Sequence, residues 1–403
     1  MRLAVSFVLV FALASNGIAT KLQASNFLRV DGKNFMYGDD IVYLSGTNAA
    51  WIQYGNDFGN GQWDSSTGSK WTNEIKLIGD SGGNSVRVWV HVEGDNNPQF
   101  SDDGYVLGTD GSDTLVSDLR KLADVCQDND IFLIPVLWNG ALMRNQNVVN
   151  LFYDDAKMES YIDNALTPMV EGLKDHPAIG AWEIMNEPEG SISMLSDSEP
   201  CYDTTHLDWT REASEIRGPG WSGANLKYNL VLKFLNVQAS AIRRADSKAL
   251  ITVGSWSEWS QTDSSQVMDD PQHKYGFNHY KDECLIKAGG QSDGILSFWQ
   301  FHNYPYNNQW DTGAPWSGHQ ASDYQMDAPL VVGEFPVESL ERSLPNGDTT
   351  GDLAKYVYEN GFNGGWSWCL GCDGNAQHDQ DVAEGLEALK GRNDHGQIDI
   401  TIQ

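Results

Sequence analysis

Eight short apolar runs, separated by stretches of helical periodicity, constrain this chain more than any other feature. They cover residues 41–48, 84–90, 131–138, 179–186, 250–255, 297–304, 330–335 and 364–368. The runs are continuously apolar rather than alternating, as expected of parallel strands covered on both faces. Helical patterns fill most of the gaps, at 72–80, 113–127, 156–174, 224–245 and 352–360, and a last one at 382–390 follows the eighth run. The stretches after the fifth and sixth runs are less clearly helical. Strands and helices alternating in this way predict a closed (β/α)8 TIM barrel rather than an open doubly wound sheet. Residues 27–37, with Asp31-Gly32 at the turn, predict a hairpin ahead of the first strand, placed across the barrel floor. Residues 188–223 form a long polar excursion from the C-terminal end of the fourth strand, on the rim where such barrels carry function.

The start of the chain reads as an export signal. Arg2 precedes an apolar run over residues 3–14, and small residues follow, with candidate cleavage after Ala14, Ser15 or Ala19. The run is shorter than the roughly 20 residues a spanning helix needs. Residues 1–19 are therefore expected to be a signal peptide and 20–403 a single barrel domain of a secreted, extracellular protein. A net charge of −30 argues against nucleic acid, anionic membrane and acidic polymers as partners. A neutral ligand fits best, and a monomer is expected. Five cysteines in an exported chain suggest two disulfides and one thiol. Cys369 and Cys372 are close enough in sequence to close a small loop. Cys201 and Cys284 lie in polar segments and make a second candidate pair. Cys126 falls on the buried side of a helix. No second ligand pair stands at zinc spacing from Cys369 and Cys372, so neither metal nor cofactor is expected.

Carboxylates stand where two of the apolar runs end. The fourth closes Trp182-Glu183-Ile184-Met185-Asn186-Glu187-Pro188, and the seventh closes Val332-Gly333-Glu334-Phe335. A carboxylate at the end of a barrel strand is half desolvated at the mouth. Burial favours its protonated form and a nearby cation its ionised form, so two such groups can divide the work of acid and nucleophile. Glu183 shares the strand face and is an alternative acid, though deeper in the barrel. Glu189 and Glu338, beyond the strand ends, read as rim charges.

These segments resemble glycoside hydrolase family 5, whose catalytic glutamates lie on strands four and seven. Further pieces fit in order: Ser85-Val86-Arg87-Val88-Trp89, His302-Asn303-Tyr304, Trp366, and Asn186 before Glu187. The resemblance covers nearly the whole chain after the signal. It implies Glu187 as general acid/base, Glu334 as nucleophile and Arg87 as the cation holding Glu334 ionised. Asn186 would bond the sugar 2-hydroxyl, Tyr304 would orient the nucleophile, His302 would line the acid/base, and Trp366 would face the sugar at the cleavage point. Many members of the family carry a histidine near the end of strand three, where this chain has Leu137-Trp138-Asn139. Trp138 is the substitute sugar contact expected there. His91, on the face of Arg87 and Trp89 by period-two spacing, is a second candidate.

Trp51, Trp138, Trp256, Trp259, Trp310, Trp316, Trp366 and Trp368 all fall at strand ends or in the loops beyond them. Aromatic faces at these places suit the C–H faces of an extended neutral β-linked polysaccharide, with roughly half expected to be packing residues instead. The wording around Arg87–Gly94, Trp182–Glu189 and Gly365–Trp368 looks most like the animal-type endo-β-1,4-mannanases of the family. Endo-β-1,4-glucanase is the second reading and a non-catalytic carbohydrate-binding barrel the third. Mannose and glucose differ in one hydroxyl at C2, which residue spacing does not reveal.

Overall fold

The computed structural model describes residues 26–207, 219–267, 276–305, 315–340, 344, 347–372 and 374–403. The proposed signal segment and Trp310 lie outside them. Eight parallel strands, numbered one to eight in chain order, are Leu44–Asn48, Ser85–Val92, Phe132–Asn139, Trp182–Asn186, Ile251–Gly254, Trp299–His302, Leu330–Pro336 and Gly364–Trp368. Strands one to five pair in order, as do six to eight, and strand eight pairs with strand one. A parallel bridge between Ser255 and Phe301 closes the ring between strands five and six. The Ser255 N–H donates to the Gln300 carbonyl at 3.2 Å and the His302 N–H to the Ser255 carbonyl at 2.9 Å. The fold is a (β/α)8 barrel, and the apolar runs are strands because both of their faces are covered.

The outer helices bury one stripe each. In Leu115–Asp128 the buried residues include Leu115, Leu119, Leu122, Ala123 and Cys126, a three-and-four spacing that lays one face on the barrel. Thr349 and Asp352 form a reciprocal capping box that starts Thr350–Glu359. The predicted helix over 156–174 is a run with a π turn inside it: Asp155–Tyr161, Ile162–Leu166 and Thr167–Leu173. Two short helices, Gln146–Tyr153 and Asp282–Gly289, were not expected. The second stops at Gly290, whose φ of +79° is the left-handed cap that glycine favours.

The hairpin Arg29–Asp31 and Asn34–Tyr37 extends to a third antiparallel strand, Asp40–Val42. Phe35 packs edge-on to Phe298, just before strand six, and Tyr37 packs on Phe132 at the start of strand three. Both partners stand at the N-terminal ends of strands, so the hairpin covers the floor and the opposite end stays open. Cys201 bonds to Cys284 and Cys369 to Cys372, leaving Cys126 as a buried thiol. Among the described residues no helix is long and apolar enough to cross a membrane.

Candidate active site

Arg87 on strand two is fully buried, and each of its five N–H groups meets an acceptor. Nε donates to Glu183 Oε2 at 2.7 Å and Nη2 to Glu183 Oε1 at 2.5 Å. Nη2 also reaches Asn186 Oδ1 at 2.8 Å. Nη1 reaches Asn48 Oδ1 at 2.8 Å and Glu334 Oε1 at 2.6 Å. A buried cation is tolerated only when paired and hydrogen-bonded, and here one cation lies between two carboxylates. Gly254 makes room for it: a Cβ there would lie 2.5 Å from Glu183 Oε1 and 3.0 Å from Arg87 Nη2. Arg87 has no N–H left for a sugar, and its reach is to Glu334, as the resemblance implies, and to Asn186. Glu183 is buried beneath the mouth and also accepts from Gln300 Nε2 at 2.8 Å, which removes it as an alternative acid.

Glu334 lies within strand seven and is 3% exposed. Its second oxygen accepts from the Tyr304 hydroxyl at 2.6 Å. Burial pushes its carboxyl up to about 7, while Arg87 and Tyr304 pull the other way. Glu187 sits one residue past strand four with φ +41° and ψ 62°, the left-handed region, and Pro188 begins a 3₁₀ turn directly after it. Such a backbone is uncommon and costly for a residue with a side chain, and it recurs at functional sites. The Glu187 N–H is anchored on the Gly254 carbonyl at 2.7 Å.

His302, at the end of strand six, is buried against both carboxylates. Its Nδ1 is 3.0 Å from Glu187 Oε1 and 3.5 Å from Glu334 Oε2. Burial and the Arg87 charge drive its pKa well below the ordinary value, so the ring is neutral. An oxygen of Glu187 and one of Glu334 lie within 4.8 Å of each other. The same three residues have metal-ligand chemistry, but the set suits a cation poorly. Both oxygens of Glu334 already hold donors, and Arg87 places a positive charge beside them.

Asn186 has its amide orientation fixed from two sides. Oδ1 accepts from Arg87, and Nδ2 donates to Asn139 Oδ1 at 3.0 Å. Among the described residues one Nδ2 proton is left for a ligand. Asn139 continues to the Tyr54 hydroxyl at 3.4 Å, which donates to Glu93 Oε1 at 2.6 Å. Asn48 and Asn139 were missed in the sequence. The available signal was an asparagine closing a barrel strand, at the height where Glu187 and Glu334 stand.

Four aromatic or acidic expectations are corrected. Trp138 is 1% exposed, packs on His91, Tyr161 and Phe234, and donates to Gln238 Oε1 at 3.0 Å on the helix Tyr228–Ala245. It faces the helical layer and is no sugar contact. His91 turns the same way and bonds Asn97, because the strand slips register between Trp89 and Val92 and the period-two count fails there. Trp366 is fully buried, with Nε1 donating to Ser85 Oγ at 2.9 Å near the start of strand two. It fills a lower layer of the barrel, and Trp368, two residues on and partly exposed, occupies the rung above beside Trp51 and Trp89. Glu189, read as a rim charge, is fully buried. Of the remaining rim tryptophans, Trp259 is buried, whereas Trp51, Trp256 and Trp316 are partly exposed.

A closed parallel barrel whose open end carries a carboxylate pair, a neutral histidine between them and flanking aromatic faces defines a class, the barrel hydrolases of glycosidic bonds. The chain belongs to glycosyl hydrolase family 5: residues 44–373 match the family described as cellulase (glycosyl hydrolase family 5). It is 45% identical over 382 residues to a mannan endo-1,4-beta-mannosidase of Cryptopygus antarcticus, covering 94% of this chain and 93% of that one. It is 38% identical to the protein of the same name from Mytilus edulis, covering 97% and 99%. The crystal structure of endo-1,4-beta-mannanase from Eisenia fetida superposes with a TM-score of 0.84 at 39% identity, covering 94% of this chain and 99% of that one.

Proposed function

We propose that this chain is an endo-β-1,4-mannanase that retains anomeric configuration, with Glu334 as nucleophile and Glu187 as general acid/base. The observation carrying the mechanism is the approach of the two carboxylates to within 4.8 Å. An oxygen of one so near an oxygen of the other suits the roughly 5–5.5 Å spacing of retaining carboxyl groups better than the roughly 6.5–9.5 Å that leaves room for an inverting water. In the first step the Glu334 anion attacks the anomeric carbon while Glu187 gives its proton to the glycosidic oxygen, leaving a glycosyl ester on Glu334. In the second, Glu187 takes a proton from water, which attacks the same carbon and releases Glu334. Arg87 and Tyr304 favour the anion that the first step needs. A neutral His302 donates Nδ1–H to Glu187 Oε1 and so orients the carboxyl that carries the catalytic proton. The free Asn186 N–H suits the sugar 2-hydroxyl, and Trp368 offers the face on which the ring rests.

Mannan as substrate is supported by the two relatives that share nearly the whole chain, both named as mannan endo-1,4-beta-mannosidases. A neutral polymer also agrees with the charge of −30. Reducing ends released from mannan and from a soluble cellulose derivative, measured side by side, test the preference. Mannan should be cut far faster, and comparable rates would restore the glucanase reading. We further propose that the protein is exported and acts as a monomer. Amino-terminal sequencing of the secreted form should find residues 1–19 gone, and its elution volume should match a single chain.

A further inference from the structure

Glu189 stands two residues beyond Glu187 and is a buried carboxylate that the mechanism above leaves without a task. Among the described residues its side-chain partners are all neutral donors. The Trp256 N–H reaches Oε2 at 3.0 Å. The Tyr280 hydroxyl reaches Oε1 at 2.5 Å, the Ser255 hydroxyl reaches it at 3.1 Å, and the Ser260 hydroxyl also donates to it. Ser255, Trp256 and Ser260 directly follow strand five, and Tyr280 precedes the helix Asp282–Gly289. One side chain thus fastens the turn bearing Glu187 to two other parts of the rim. Backbone bonds extend the fastening to the polar excursion, with the Gly220 N–H on the Glu189 carbonyl and the Ser222 N–H on the Gly190 carbonyl, each at 2.8 Å.

The turn needs such holding. Glu187 occupies a left-handed backbone that a glutamate does not choose by itself, and the conformation persists only where its surroundings impose it. A carboxyl side chain is suited to the task, because its two oxygens can accept from several donors at once.

We propose that Glu189 is a positioning residue for proton transfer by Glu187, holding the turn so that the acid faces the glycosidic oxygen. The proposal rests on the reading of Glu187 as acid/base. Loss of a positioned acid has a signature that general loosening lacks: it slows departure of a sugar hydroxyl, which needs the proton, and spares departure of dinitrophenolate, which does not. The experiment compares kcat/KM, which reports the first step, on mannan and on a 2,4-dinitrophenyl β-mannobioside.

Glu189→Gln should lower kcat/KM on mannan about 100-fold while changing it on the dinitrophenyl substrate by no more than roughly threefold. Tyr280→Phe, which removes one donor and keeps the carboxylate, should show the same selectivity at about tenfold. Equal losses on both substrates, or no loss on mannan, would overturn the proposal. Should Glu189→Gln fail to fold, Tyr280→Phe decides by the same criterion. Glu187→Gln is the reference: if it slows both substrates alike, the assignment of Glu187 itself fails, whereas its selective loss beside a non-selective Glu189→Gln refutes only the positioning role.

Discussion

At the end of strand seven, Glu334 stays inside the strand, with 4% of its side chain exposed and a donor on each oxygen. At the end of strand four, Glu187 lies past the last strand residue in a left-handed turn, with 15% of its side chain exposed. The first is clamped by a cation and a phenol. The second rests against a neutral imidazole, with access to water through which a proton can be exchanged. Two glutamates of one barrel mouth are thus distinguished by backbone and neighbours alone, which is what the two proposed roles require of a single residue type.

The sharpest way to break this comparison is Glu334→Gln. Turnover of mannan should fall on the order of 10⁴–10⁶-fold with binding by calorimetry largely intact, since the covalent step loses its nucleophile. Turnover within tenfold of the parent would dissolve the distinction between the two ends. Next in size is Arg87→Met, which strands Glu183 and Glu334 without their cation. Urea unfolding should show a loss of about 3–5 kcal/mol, the usual cost of removing one member of a buried ion pair. An unchanged unfolding midpoint would mean that the guanidinium does not hold the interior together.

Tyr304→Phe sharpens the comparison from the side of strand seven. In the proposed mechanism Glu334 must be ionised to attack, so kcat/KM should fall as pH drops through its pKa, which burial has raised to about 7. The Tyr304 hydroxyl stabilises the anion, so its removal raises that pKa further and moves the acid limb of the profile to higher pH. Activity at the optimum should fall by about 1.5–3 kcal/mol in transition-state terms. An acid limb that stays in place would separate Tyr304 from the ionisation of Glu334. The smallest effects belong to the two tryptophans of strand eight. Trp368→Ala should lower kcat/KM on mannan about tenfold, close to 1.4 kcal/mol. Trp366→Phe should cost about 1 kcal/mol of stability through its lost bond to Ser85 and leave kcat/KM alone. The reverse pattern would return the sugar contact to the lower rung.

The barrel was legible in the sequence because its strands are buried on both faces, which leaves uninterrupted apolar runs, and because Glu187 and Glu334 follow such runs directly. What misled the reading was height and facing. Trp366 and Trp368 share a strand face, and alternation does not say which layer meets solvent. His91 obeys period two only until the slip after Trp89, which no local signal announces. Trp138 lies next to Asn139, and the alternation of neighbours sends one into the helical layer and the other to the site. Glu189 looks like an ordinary loop acid until the loops after strand five and ahead of Asp282 are brought against it, contacts that span 66 to 91 positions. Asn48 and Asn139 escaped notice because each acts by orienting another polar group.

The covered floor has a practical corollary. The N–H of Gln403 donates to the Tyr37 hydroxyl at 2.9 Å, so the tail of the chain is pinned to the same hairpin that shuts the barrel from below. A resin, an electrode or a carrier protein coupled through that tail would stand behind the enzyme and leave a long, stiff fibre free to lie across the opposite side.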